Sequence, residues 1–353
     1  MSILFSAPGC SDDDSSRPAA TGRVGWAIGY RGETAAILHT ADGGNTWEEQ
    51  GDPALWEGMT GNDISAVDEW TAWAAVGNID KGAILHTSDG GLNWDVQRLP
   101  EGVTDVVKGI KGLSSSAAWA VTLTGIVMQT RDGGKTWRVI PHEGISMKQI
   151  NRMDVKGDDI WIADWGSGEN GMIHSPDFGE TWRRETLTNP DPSASGFGPM
   201  AVSIVNSQVA WATVRPDANI YRTVDGGNAW ELDAPEVSGR NDLDDICAPH
   251  ANMAWAVQNI SGESRGAIIR VQLKDGKVIS GIMDPTGQYV YEGVTCLDEK
   301  TVWVVGLKAR GASLDLPEGV ILHTSDGGSN WTSQPMPVKD VGFWKVSFVG
   351  AHR

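Results

Sequence analysis

Along most of the chain, apolar runs of four to six residues are broken by Gly, Asp, Asn and Pro, which predicts short strands joined by tight turns. Two phrases return at a fixed spacing. The first is a strand such as Gly25-Trp26-Ala27-Ile28-Gly29 or Val302-Trp303-Val304-Val305-Gly306, and its tryptophan recurs as Trp26, Trp73, Trp119, Trp161, Trp211, Trp255 and Trp303. The second is Ile37-Leu38-His39-Thr40-Ala41-Asp42-Gly43-Gly44-Asn45-Thr46-Trp47, repeated over Ile84–Trp94, Val127–Trp137, Ile173–Trp182, Ile220–Trp230 and Ile321–Trp331. Its acidic residues, Asp42, Asp89, Asp132, Asp177, Asp225 and Asp326, stand 43 to 48 residues apart except for one gap of 101. Ile268–Lys277 fills that gap in worn form, keeping the strand and an Asp275-Gly276 turn but no Trp. Seven Trp strands therefore predict seven units.

A unit of this length and content is a four-stranded propeller blade. It has an inner strand, the Trp strand, the Ile-Leu-His-Thr strand, the Asp-Gly-Gly turn and a last strand begun by the second Trp. The Asp is structural, because its side chain accepts backbone N–H groups of its own turn while the glycines take positive φ at little steric cost. The first unit lacks an inner strand, since the chain enters it at Val24–Gly29. Lys345–Gly350 supplies one, matching Ile64–Val67 and Ala201–Val205, so the C-terminus closes the ring and leaves no open sheet edge between first and last blades. The expected fold is all-β: a single closed seven-bladed β-propeller spanning 23–353. Burial of ~150–250 Å² per Trp at ~25 cal/mol per Å² makes the two Trp sets core residues.

Charge narrows the partners. A net charge of −18 repels phosphate backbones and anionic headgroups, so nucleic acid is not an expected partner. No run of 18 apolar residues is present to span a bilayer as a helix. The N-terminus differs from the rest: Ile3–Gly9 is apolar and small, Cys10 follows, and 11–22 is a polar linker. Residues 1–10 resemble the end of a bacterial lipoprotein signal, without its basic region and most of its apolar core. That resemblance implies lipidation at Cys10 and an extracytoplasmic, lipid-anchored protein, periplasmic or on the cell surface of a bacterium. Cys247 and Cys296 precede repeated tryptophans by similar distances; a disulfide and two buried thiols are both open, free thiols being the commoner outcome.

The repeats resemble the Asp-box, or bacterial neuraminidase repeat, of sialidases, xyloglucan-degrading glucanases, sortilin-type receptors and the photosystem II assembly/stability factors. A Trp-Ala-Val-Gly strand paired with an Ile-Leu-His-Thr-Ser-Asp-Gly-Gly turn is most similar to the last, over residues 24–350. This resemblance implies a non-enzymatic extracytoplasmic helper that binds a membrane protein; the chain is expected to be a monomer. The family's target-binding surface is basic, and the acidic charge here departs from it, so the class carries over and the client does not.

Searching the residues for chemistry gives little. Only Tyr30, Tyr221, Tyr289 and Tyr291 could serve a sialidase, and its arginine motif is missing. A glucanase needs two facing carboxylates, for which Asp80 and Glu169 are an example, and a cleft between two propellers. Gly166–Gly171 has the spacing G-x-G-x-x-G but leads into a strand, where a phosphate loop opens a helix. His39, His86, His174 and His323 share one repeated site in four different blades and cannot converge on one metal. No catalytic residue, cofactor or metal is expected. Function is expected on the face where second-to-third-strand and blade-to-blade loops gather. The candidate residues there are Trp56, Trp165, Arg215, Arg265, Lys308 and Arg310, because neither Trp belongs to a repeated set and exposed Trp and Arg anchor partners. The expected function is a membrane-tethered, protein-binding propeller, an assembly or stability factor; the alternative is a glycan-active or glycan-binding propeller.

Overall fold

The computed structural model describes residues 23–79, 81–166, 171–188, 197–215, 219–234, 242–260, 265–274, 277–283, 288–308 and 317–350. Among them are seven four-stranded antiparallel sheets, and the inner strands of consecutive sheets touch all the way round. Blade 1 takes its inner strand from the far end of the chain: Gly342–Phe348 pairs antiparallel with Gly25–Arg31, followed outward by Thr34–Thr40 and Glu48–Gln50. Blades 2 to 5 begin at the inner strands Thr60–Ala66, Val107–Gly112, Ile150–Lys156 and Gly198–Ile204; blade 6 begins at Asp242–His250 and blade 7 at Tyr289–Cys296.

The tryptophans hold the blades together. Trp26, Trp73, Trp119, Trp161, Trp211, Trp255 and Trp303 are all essentially inaccessible, and each lies in a separate apolar cluster shared by two adjacent blades. The second Trp of the following blade meets the first edge-on, as in Trp73–Trp137 at 5.9 Å, Trp161–Trp230 at 5.3 Å and Trp255–Trp331 at 6.0 Å. At the seam, Phe348 of the closing strand stacks on Trp303 at 3.7 Å and meets Trp47 edge-on.

The turns also work between blades. Thr40 Oγ1 donates to Asp42 Oδ1 at 2.9 Å and accepts from Gly44 N, while Asp42 accepts from Thr46 N at 2.9 Å and Thr46 Oγ1 at 2.7 Å. The backbone bond recurs at Asp89, Asp132, Asp177, Asp225 and Asp326, and the side-chain bond at all of these but Asp225, where the donor position is Ala229. At Asp326 the Asn330 side-chain amide, then the Asn330 N–H and the Thr324 hydroxyl, hold the carboxyl down at about 2. The second glycine is fixed twice over: Gly44 and Gly91 have φ of 92° and 84°, and a Cβ there would collide with Gln334 and Gln50 of the preceding blade. Those glutamines knit the ring, since Gln50 accepts from Trp26 Nε1 at 3.1 Å and donates to Gly90 O at 2.9 Å.

Two expectations change. Cys247 and Cys296 are not free thiols but a buried disulfide joining the inner strands of blades 6 and 7, whose Cα atoms are 6.0 Å apart. Blade 6 is also more than a worn copy: it has the longest strands, with Arg265–Lys274 followed by an outer strand Lys277–Met283.

His86 and His323 stack against their blade's Trp at 3.7 and 4.5 Å and His39 lies tilted by 43° against Trp26 at 4.9 Å, each with a buried Nε2. Burial lowers the pKa of all three. A base held low when folded stabilises fully above its ordinary value near 6.5 and loses that stability as pH falls below it. We expect the urea midpoint to drop between pH 7 and pH 5, and the drop to be smaller in the His86→Gln/His323→Gln variant. Phe348→Ala is expected to cost ~3–5 kcal/mol in the same assay. Removing Gly342–Arg353 should abolish the cooperative transition, measured by tryptophan fluorescence.

Candidate functional site

Every innermost strand slips by one residue against its Trp strand at the same rung. The residues left out of register are Trp344, Asn62, Lys108, Asn151, Met200, Asp244 and Glu292, one per blade, all partly buried. A bulge of this kind re-aims a side chain. Its cost in local space explains two glycines: a Cβ on Gly29 would strike Gly342 O, and one on Gly306 would strike Val290 O. The rung lies at the start of the inner strands, on the face that gathers the second-to-third-strand loops, and it forms a belt at one mouth of the central channel.

The repeat acts as its own control. Where the ring needs a residue for packing, the residue recurs, Trp in all seven blades being the plainest case. On this rung six residue types fill seven positions, so packing does not dictate them.

Belt residues contact one another or the strands beside them. Asn62 Nδ2 donates to Val107 O at 3.0 Å, Asn151 Nδ2 lies 3.1 Å from Met200 Sδ, and Trp344 stacks on Tyr30 at 5.0 Å. Lys108 is pulled down to about 8 by burial and the neighbouring Arg152. Glu292 is pushed up to about 7 by burial, against the opposing pull of Arg152. Burial and the Glu292 charge raise Tyr30. One layer deeper, carboxylates stitch blade to blade: Asp63, Asp154 and Asp245 accept from Ile110 N, Ile204 N and Val294 N at 3.0, 2.8 and 2.9 Å. Lys345 Nζ sits 2.6 Å from both oxygens of Asp245, and Lys111 Nζ 2.8 Å from Asp154. This layer encloses about 70 Å³, room for water rather than a sugar ring.

Of the residues expected from sequence, Trp165 and Arg215 come together. The Arg215 guanidinium lies 4.3 Å over the Trp165 ring, and its Nη1 is 3.7 Å from Met200 Sδ, which joins the pair to the belt. Trp56 does not reach solvent. It ends the 3-10 helix Pro53–Trp56, is 1% exposed, and donates Nε1 to Ala35 O at 3.0 Å; its job is to pin that loop. Lys308 faces Glu318 of its own blade at 3.6 Å and does not join the pair. The Arg265 side chain, Arg310, Cys10, Asp80 and Glu169 lie outside the described residues. Sequence reasoning missed the belt; aligning the inner strands on the residue paired with each Trp exposes it.

An acid held high when folded favours the native state below its ordinary value, and that stability is lost as pH rises through the folded value. For Glu292 the window is about 4.5 to about 7. Glu292→Gln is therefore expected to raise the melting temperature at pH 8 and leave it unchanged at pH 4, read by calorimetry.

The sequence profile of the photosynthesis system II assembly factor YCF48 family matches residues 19–152 and 101–290. A comparison with curated proteins found no match. Among solved structures, YCF48 bound to D1 peptide superposes with a TM-score of 0.63 at 18% identity, covering 86% of this chain and 89% of that one. YCF48 from Cyanidioschyzon merolae gives 0.62 at 17% identity, covering 88% and 91%. The GH74 xyloglucanase from Xanthomonas campestris gives 0.57 at 12% identity, covering 77% of this chain and 45% of that one. Identities this low speak for a shared fold.

Proposed function

We propose, from the premise that this chain belongs to the family of the photosystem II assembly factor YCF48, that it is an assembly or stability factor binding a segment of a membrane-protein partner across the channel mouth. The observation that carries this reading is the bulged rung, where repeat identity breaks down in every blade. Charge supports it further. In a chain of net charge −18, three cations, Lys108, Arg152 and Arg215, gather at or beside one rung. They suit a carboxylate-bearing segment that the rest of the surface repels. Trp165 beneath Arg215 offers an apolar face to the same segment.

The solved complex of YCF48 with a D1 peptide concerns that protein, and it supports a membrane-protein client for this one. A site outside the cytoplasm, with a lipid tether at Cys10, is part of the proposal. The Cys247–Cys296 disulfide suits an oxidising compartment.

The test is cross-linking in native membranes followed by mass spectrometry of what co-purifies with the tagged chain. A membrane protein recovered in stoichiometric amount is expected, with recovery falling at least ~10-fold for Lys108→Glu/Arg215→Glu, a loss of ~1.4 kcal/mol or more. Unchanged melting of that variant separates lost binding from lost folding. Equal recovery by the variant, or cell-wall glycan as the sole bound material, would overturn the reading.

A further inference from the structure

Blade 6 breaks the pattern of the outer strands. In the other six blades these strands are two to four residues long: Glu48–Gln50, Asp95–Gln97, Arg138–Ile140, Arg183–Thr186, Glu231–Ala234 and Thr332–Ser333. Five of the six begin with a charged residue. Shortness and charge are the usual means of blunting a sheet edge. The Asp-Gly-Gly turn produces the shortness, because the chain leaves the sheet for several residues before its last strand restarts.

Blade 6 has lost that turn. Lys274 and Lys277 are register partners, so the third and fourth strands join through two residues, and the outer strand runs the full seven residues Lys277–Met283. It pairs with Arg265–Lys274 on one side and is the terminal strand of its sheet on the other. Its only charge is Lys277 at the start; Val278-Ile279-Ser280-Gly281-Ile282-Met283 is uncharged, and Asp284-Pro285 follows. Ile279 is 54% exposed. Among the described residues, blade 6 therefore presents a longer row of backbone donors and acceptors than the other six edges, with no charge beyond its first residue.

We propose that this edge pairs antiparallel with the same edge of a second copy, making a two-fold dimer through one continuous eight-stranded sheet, in place of the monomer expected from sequence. Two-fold antiparallel pairing sets one residue opposite its own copy. Centred on Ser280, it uses the whole strand and sets Lys277 opposite Met283, Val278 opposite Ile282 and Ile279 opposite Gly281, so no like charges face each other. The same operation on Glu48-Glu49-Gln50 sets Glu49 opposite Glu49. The edge lies on the outer rim, away from the channel mouth, so the dimer leaves that mouth free, and its success or failure is independent of the client.

Sedimentation equilibrium of the purified chain tests this. The expected mass rises from 37.8 kDa toward twice that value with concentration. Ile279→Lys, which restores an edge charge at an exposed position, is expected to weaken association at least ~10-fold, or ~1.4 kcal/mol. Val96→Lys and Val139→Lys place the same charge on exposed positions of two short outer strands and are expected to leave it unchanged. In the unaltered protein, amide exchange over Lys277–Met283 should slow as concentration rises. A 37.8 kDa species at every concentration, a dimer that survives Ile279→Lys, equal loss in the two controls, or exchange independent of concentration would each overturn the proposal.

Discussion

Everything in this ring depends on a buried tryptophan between each pair of neighbouring blades. A blade alone is a small twisted sheet with two apolar faces and cannot fold by itself; a Trp from one blade, met edge-on by the next, covers both. Because the contacts are sequential, the ring is only as sound as its seam. There the same contact is made by residues far apart in the chain, with Trp303 of blade 7 stacked on Phe348 of the closing strand and Trp47 against that ring. The glutamine bridges and the Asp turns are arranged about this packing: they orient the loops that the tryptophans bring together, and Trp303 Nε1 itself donates to Gly43 O in the turn of blade 1.

With the frame fixed by repetition, variation is concentrated at the bulged rung. A bulge releases a residue from the strand ladder, so its identity is free of the pairing rules that fix its neighbours. Crowding Lys108, Arg152 and Glu292 into a partly buried belt shifts two of them toward neutrality, with Lys108 near 8 and Glu292 near 7. Groups with so little remaining cost of discharge respond strongly to an arriving charge.

The fold was open to reading from sequence because repetition multiplies a weak signal. One Trp strand is ambiguous, but seven at even spacing are not, and a turn written as Thr-x-Asp-Gly-Gly contains its own hydrogen bonds and its own positive φ angles. The closing strand was readable for the same reason, as a missing piece of a repeat. Residues outside the repeat were harder. Trp56 and Trp165 look alike as solitary tryptophans, yet one is locked under a helical turn and the other carries an arginine on its face. Nothing local separates them, since their burial depends on the neighbouring blade.

The sequence by itself determined the number of blades, the strand order within each, the turn chemistry and the closure, all of which follow from short-range pattern and its recurrence. The tertiary structure decided the rest. It formed the Cys247–Cys296 disulfide by bringing two inner strands to within 6.0 Å, lengthened the outer edge of blade 6, and set seven residues of six types on one rung. These features depend on register and on distances between blades, quantities that a chain acquires only when its strands are paired and its ring is closed.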